Sequence, residues 1–370
     1  MLNVSPALPD EVGRAADLRA VGAENWVARR PASPVEEVAR AVAAEPAVLG
    51  AAVTRPLRAL EMRVFWTRMR TLVERAASEW RPDVVLVGHD MAAAWAAELP
   101  SGLPAVLTCH NLTWRWYESL ARRADPARAL LLRAEAWRYR RHVMGLLPRF
   151  DTAVAVSTIE ADELRRLGGA RVELIPTGVD TRELRPAPEQ PGPPRLLFTG
   201  TMSYLPNYQG ISWFAREVWP LVREQVPEAV LDVVGKGPPE DVLALDGRDG
   251  ISVHGFVDSM APFFARTHAV VVPILAGAGI RVKIVEAMSA GRPIVSTSLG
   301  CEGLLGLEDG RHLLVADEPR AFADAAARLL REPALRRDMA ATARELAERS
   351  YDWRPLGDHL EQVLRDAASR

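Results

Sequence analysis

Residues 274–296 read Ile274-Leu-Ala-Gly-Ala-Gly-Ile-Arg-Val-Lys-Ile-Val-Glu-Ala-Met-Ser-Ala-Gly-Arg-Pro-Ile-Val-Ser296. The stretch divides into a strand end, a loop of small residues, an amphipathic helix, a glycine stop and a new strand. The loop, Ala276-Gly-Ala-Gly279, lets ligand atoms approach the backbone closely. A helix starting directly after it turns unpaired N–H groups and the positive end of its dipole toward that loop. Such a terminus favours a phosphate or diphosphate. Arg281 and Lys283 add cationic donors in the first turn, and Glu286, on the same face as Lys283, is placed to accept from two vicinal ribose hydroxyls. A glycine-rich turn followed by an ordinary i,i+3 pair, worth roughly a few tenths of a kcal/mol, would share these features singly. Their combination with Gly291-Arg-Pro-Ile-Val295 favours a site.

Outward from this stretch, apolar β-branched runs alternate with helical patterns, the signature of βαβ units and parallel sheets. Strands are expected at Asp83–Val87, Pro104–Thr108, Asp151–Val156 and Arg171–Ile175, with helices over Glu61–Trp80 and Pro126–Leu147. A second series follows at Arg195–Thr199, Val230–Val234, Ile251–His254, His268–Val272, Pro293–Ser296 and His312–Val315. Its helices are expected over Gly210–Glu224, Met260–Arg266, Ile280–Ala290 and Ala321–Arg331. Between the series, Arg185–Pro194 holds five prolines in ten residues, which neither a helix nor a sheet interior accepts. The expected organisation is a domain over 1–184, a proline-rich linker over 185–194, a domain over 195–350 and a closing helical stretch over 351–370.

The bulk numbers agree with an α/β enzyme. The 370 residues suit two domains, and 48% hydrophobic with 25% charged residues is ordinary for a globular chain. Disordered, collagen-like and coiled-coil classes are therefore excluded. Two cysteines, Cys109 and Cys301, make neither a disulfide framework nor a cysteine-rich zinc site, and the seven histidines show no metal-ligand spacing. A net charge of −2 offers no field for nucleic acid. The N-terminus has no signal-peptide pattern and no run approaches a membrane span, so a cytoplasmic protein is expected. Of the 46 Lys and Arg residues only two are lysines, Lys236 and Lys283.

The segment from Ala278 to Leu304 resembles the donor-site region of family-4 glycosyltransferases, which have the GT-B fold. Phe198-Thr-Gly-Thr-Met-Ser-Tyr-Leu-Pro-Asn207, Val233-Val-Gly-Lys-Gly-Pro238, Ile175-Pro-Thr-Gly-Val-Asp180, His110-Asn111 and Ala155-Val-Ser157 are similar to the same family. The resemblance implies two Rossmann-like domains facing a central cleft, with the final helix crossing back onto the N-domain. It implies retaining transfer of a hexose from a nucleoside-diphosphate sugar to an acceptor hydroxyl, in surface polysaccharide or glycoconjugate synthesis. Glu286 would then hold the donor ribose, Gly200 and Thr201 would bring backbone amides to the diphosphate, and Gly277, Ala278, Gly279 and Asn207 would complete the donor site. Lys283 and Arg281 would stabilise the leaving diphosphate, and His110 would position the transferred sugar. His89 and Asn111 would face the acceptor, although a solvated loop explains His89 equally well. Neither a divalent metal nor a cofactor is expected, the nucleotide-sugar being a co-substrate of unspecified base.

Two features depart from the family. Its Glu-x7-Glu motif places a donor-contacting glutamate where this chain has Ala278, leaving that contact to the loop's backbone amides. Met1-Leu-Asn-Val-Ser-Pro6 is too short for the usual opening strand, Gly-rich loop and helix, and Pro31-Ala-Ser-Pro34 interrupts the next segment. The N-domain thus reads as lacking its first βα unit: either the true start lies upstream or the acceptor half is reduced. A non-catalytic GT-B remnant or binding partner, and a nucleotide-sugar epimerase, are the rival functions. Finally, Leu112–Arg149 carries nine arginines against three acids, interleaved with Trp114, Trp116, Tyr117, Trp137 and Tyr139. This reads either as a surface that meets the inner membrane face and a lipid-linked acceptor, or as a solvated arginine face with aromatic packing behind it.

Overall fold

The computed structural model describes the backbone of residues 2–7 and 24–29, together with residues 73–93, 99–122 and 124–370. Among the described residues all pairings of the twelve strands are parallel. β1 (Leu2–Ala7) pairs with β2 (Glu24–Arg29). These two strands are absent from the sequence reading, which took residues 1–6 as too short for an opening unit; the segment joining them lies outside the described residues, as does Pro31–Pro34. Residues 73–80 are helical, and the rest of the helix expected over Glu61–Trp80 is likewise outside.

The first unit comprises Met1–Ala155, Glu160–Leu174 and Glu361–Arg370. Its sheet runs β3 (Val85–Gly88), β4 (Ala105–Cys109), β5 (Thr152–Ala155), β6 (Arg171–Leu174). Two helices, α1 (Thr113–Ala121) and α2 (Pro126–Leu146), follow β4, and α3 (Thr158–Leu167) follows β5. Their inward residues, among them Leu112, Trp114, Tyr139, Val143 and Leu164, pack on the sheet's Leu107, Cys109 and Ala153. The Trp114 indole N–H donates to Glu163 Oε1 at 2.8 Å, so the buried ring's one polar atom is satisfied.

The second unit comprises Val156–Ile159 and Ile175–Leu360. Its strands are β7 (Arg195–Thr199), β8 (Val230–Val234), β9 (Ile251–Gly255), β10 (Ala269–Val272), β11 (Ile294–Ser296) and β12 (Leu314–Val315). Their spatial order is β12-β11-β10-β7-β8-β9. Counted from β7, this is the doubly wound order 3-2-1-4-5-6, whose direction reverses between β7 and β10. Successive residues alternate faces as the pleat requires: Leu196 and Phe198 enter one core, while Leu197, Val270 and Val272 enter the other. Helix α4 (Leu205–Trp213) follows β7, and α5 (Val282–Ser289) lies between β10 and β11. The α5 helix buries Ile284, Val285, Ala287 and Met288 and ends at Gly291, whose φ of +61° suits a glycine just past a helix terminus.

The unit boundary falls at Leu174/Ile175, ten residues before the limit read from sequence at 184/185. Physical contacts explain the difference: the proline run is fastened along its length to the second unit. The Leu184 carbonyl accepts from Ser289 Oγ at 2.8 Å, and the Ala187 carbonyl accepts from Arg292 at 2.7 Å. Glu189 receives Arg336 at 2.6 Å, and Pro186 packs where a Cβ on Gly291 would stand. Helix α6 (Trp353–Ala368) is the last element, and from Glu361 onward its residues belong to the first unit.

Candidate functional site

Ligands of doubly wound sheets bind beyond the carboxyl ends of the strands where their order reverses. In the second unit those ends are Thr199, at the close of β7, and Val272, at the close of β10. The segments leaving them bring together Gly200, Thr201, Asn207, Gly277, Ala278, Gly279, Arg281, Lys283 and Glu286, all expected donor-side residues.

Lys283 lies at its centre. It is 9% exposed, and its ammonium donates to Asn207 Oδ1 at 2.8 Å. The Nζ stands 4.5 Å from the centroid of the Phe198 ring, a cation–π distance. Burial, reinforced by the Arg281 guanidinium, holds its pKa down at about 7, against an ordinary 10.5, despite the opposing pull of Glu286. Half-buried Glu286 is shifted the other way, its pKa raised by burial and only partly restored by Lys283. A buried cation and a half-buried carboxyl thus stand together on one face of α5.

Gly200 is required by close approach. A Cβ there would stand 2.7 Å from Asn207 Nδ2 and 2.8 Å from Lys283 Nζ. Gly277 adopts φ +123°, and a Cβ on it would meet Arg281 at 2.9 Å and Pro206 Cγ at 3.2 Å. The Thr201 carbonyl accepts from Asn207 Nδ2 at 2.9 Å. Arg281 was expected to add charge against the leaving group. Its guanidinium turns back and donates to the carbonyls of Ala278 (2.7 Å) and Gly279 (2.9 Å), bracing the loop that precedes α5. Ala278 is itself buried, and Glu286 is the carboxyl that acts on Lys283. Lys236 is exposed beyond β8, and its carbonyl accepts from the Met202 N–H at 2.8 Å.

The histidines and Asn111 belong to the first unit. His89, after β3, takes φ +83°, an uncommon conformation for a non-glycine residue. Two hydrogen bonds fix it there, His89 N–H to the Thr108 carbonyl at 2.7 Å and Ala92 N–H to the His89 carbonyl at 3.0 Å. Its Nδ1 lies 2.7 Å from Oδ1 of Asp90, a residue only 2% exposed. Asp90 also accepts from Thr113 N–H at 2.7 Å and Thr113 Oγ1 at 2.8 Å, tying β3 to the start of α1. The His110 ring is 6.3 Å from that of His89, and burial together with His89 lowers its pKa. Neutral imidazole supplies one donor and one acceptor, which suits hydroxyl groups. Asn111 Oδ1 is buried with no hydrogen-bond partner among the described residues. The sequence reading missed Asp90 as the group that holds His89, Phe198 as the floor beneath Lys283, and Asn207 as the lysine's partner. Only the Phe198–Asn207 motif carried a signal for any of them.

The arginine-rich segment has two distinct faces. Trp114 and Tyr139 are buried, whereas Leu130, Leu131, Trp137 and Met144 are exposed on α2. Arg133 and Arg141 share that outer side, and the Arg141 guanidinium lies 5.6 Å from the Trp137 ring centroid. Among the described residues no helix is long and apolar enough to cross a membrane.

Comparison with known proteins places these features in context. Residues 16–183 match the description Glycosyltransferase Family 4, and residues 193–332 match Glycosyl transferases group 1. A phosphatidyl-myo-inositol mannosyltransferase from Mycobacterium leprae is 33% identical over 217 residues, 56% of each chain. A D-inositol 3-phosphate glycosyltransferase from a Nocardioides species is 28% identical over 307 residues, 72% of this chain and 63% of that one. The chain spans about half the length of the curated relatives it matches. The Anabaena HepE structure in complex with UDP superposes with a TM-score of 0.66 at 14% identity, covering 98% of this chain and 92% of that chain. The shared fold is GT-B.

Proposed function

The chain belongs to the family-4 glycosyltransferases, and on that premise we propose that it transfers a hexosyl group from a nucleoside-diphosphate sugar to an acceptor hydroxyl with retention of configuration. The observation that carries the reading is the pairing of buried Lys283 with half-buried Glu286 on α5, at the strand ends where the sheet order reverses. In this mechanism Glu286 accepts the ribose hydroxyls and the Lys283 ammonium stabilises charge as the anomeric C–O bond breaks. The acceptor oxygen bonds to the anomeric carbon on the face the diphosphate leaves, and the departing phosphate takes the acceptor's proton. His110, with its neutral ring, positions the sugar, while His89 and Asn111 receive acceptor hydroxyls. Side-chain cations and helix N–H groups do the work of a divalent metal, so transfer proceeds in chelator.

The names of the relatives make mannosyl transfer to an inositol-containing or glycolipid acceptor the first reaction to assay. The outer face of α2, with Leu130, Leu131 and Trp137 among arginines, supports approach to an anionic lipid surface. The test is transfer from GDP- and UDP-sugars to inositol and glycolipid acceptors in EDTA, with Lys283→Ala and Glu286→Ala as controls. Loss of turnover in the first and weakened donor binding in the second are expected; wild-type transfer by both would refute the site. Buried Ala278 favours one rival, a GT-B remnant, which would bind nucleotide without transfer. An epimerase would convert donor with no acceptor present.

A further inference from the structure

An ammonium on a four-carbon stem has many orientations available, and directing it at one phosphate oxygen requires other groups to fix it. At Lys283 three neighbours do so. The Phe198 ring lies on one side at 4.5 Å. The bare Gly200 Cα lies on another, since a Cβ there would stand 2.8 Å from Nζ. Asn207 takes one of the three N–H bonds at 2.8 Å. The other two meet no acceptor among the described residues, leaving two charge-assisted donors for an anion.

Asn207 is itself fixed. Its Nδ2 donates to the Thr201 carbonyl at 2.9 Å, which settles which end of the amide faces the lysine. Its backbone N–H donates to the Tyr204 carbonyl at 3.0 Å, and the residue is 8% exposed. The amide therefore connects the Thr199–Tyr204 turn to α5, and its oxygen can serve only as an acceptor at that point.

We propose that Asn207 is the positioning residue of Lys283: it acts through the ammonium rather than on the donor, holding it in one direction with two N–H bonds turned to the diphosphate. The proposal rests on the reading of Lys283 as the leaving-group cation. It reassigns Asn207, which the sequence placed among the donor-contacting residues. An amide oxygen also favours the charged form of the lysine it accepts from. The charged groups bearing on Nζ are Arg281 and Glu286, both from its own end of the chain, while Phe198, Gly200 and Asn207 present no charge. Glu286 opposes the burial and the Arg281 repulsion, and Asn207 adds the neutral acceptor that fixes the direction of the ammonium.

The composition makes the test direct. Lys236 and Lys283 are the chain's only lysines, so protein labelled with 13C and 15N on lysine shows two side-chain resonances. Lys283→Met identifies which belongs to the buried site. Asn207→Ala should move the titration midpoint of the Lys283 signal to lower pH, and Asn207→Asp should move it up by about one pH unit or more. In transfer assays Asn207→Ala should lower kcat about tenfold with a much smaller change in donor KM, the alkaline limb following the NMR shift. A Lys283 titration unmoved in both variants overturns the proposal, even where Lys283→Ala abolishes transfer and the wider reading survives. Unchanged transfer in Lys283→Ala overturns the wider reading, and this proposal with it. Melting curves check that each variant is folded, and the NMR midpoint needs no activity.

Discussion

Both units place polar side chains just beyond their strands' carboxyl ends, and the two clusters are built in opposite ways. In the second unit a charged group is buried and its neighbours are supplied by three segments: Phe198 from β7, Asn207 from α4 and Glu286 from α5 itself. In the first, backbone strain at His89 and one buried carboxylate, Asp90, fix the His89 imidazole, and the His110 ring lies 6.3 Å from it. The cluster around Lys283 keeps a cation in a place that disfavours it, so on the proposed reading an arriving diphosphate would gain what burial cost. The cluster around His110 offers neutral donors and acceptors, which suit sugar hydroxyls. The difference teaches that one half is poised for charge and the other for shape.

The largest expected effect breaks the charge half. Lys283→Ala should lower kcat by roughly 10²–10³-fold, as removal of a preorganised transition-state donor does, measured as initial rates at saturating donor. Glu286→Ala should act mainly on donor KM, raising it by about ten- to a hundredfold, because ribose contacts are made before and during the reaction. The pH dependence sharpens the same contrast. Transfer by free enzyme requires protonated Lys283, so kcat/KM for the donor should fall as pH rises through about 7.

The stability profile runs the other way. The lysine's folded pKa lies below its ordinary 10.5, so between about 7 and 10.5 the native state binds fewer protons than the unfolded chain, and this contribution improves as pH rises. Lys283→Met should therefore raise the Tm at neutral pH while abolishing transfer. At His89, glycine should be more stable than alanine by about 1 kcal/mol in denaturant melts, since only glycine adopts φ +83° without cost. Both substitutions should weaken acceptor binding. The smallest effect is at the surface: Trp137→Glu should abolish sedimentation with anionic vesicles and leave the Tm within about a degree, since Trp137 is 61% exposed.

What the sequence revealed followed local pattern. Arg195–Thr199 and Val230–Val234 are strands at the residues expected, because short runs rich in branched apolar residues, buried on both faces, have little alternative. Lys283, Glu286 and their loop were legible because helix spacing fixes relative positions within a few residues. What was not legible depends on distance along the chain. The Lys283–Asn207 bond spans 76 positions, and no periodicity points to it. Asp90 resembled a loop acid until Thr113, 23 residues on, closed on it. The proline run looked like a free linker because its partners Ser289, Arg292 and Arg336 lie about a hundred residues or more away. Arg281 and Lys283 carry the same formal charge two residues apart, and only the structure shows that one donates to the carbonyls of Ala278 and Gly279 and the other to Asn207.

The central claim is that the second unit holds a metal-independent nucleoside-diphosphate site centred on Lys283 and Glu286. A thermal shift of the wild-type chain against UDP, GDP, ADP and CDP in EDTA, repeated with Lys283→Ala and Glu286→Ala, tests it most directly. A ligand at a hundred times its Kd adds about 2.7 kcal/mol, several degrees at this size. One of the four nucleotides should raise the wild-type Tm by that amount without magnesium, and both variants should lose most of the rise. No shift with any nucleotide, or an equal shift in both variants, would contradict the account.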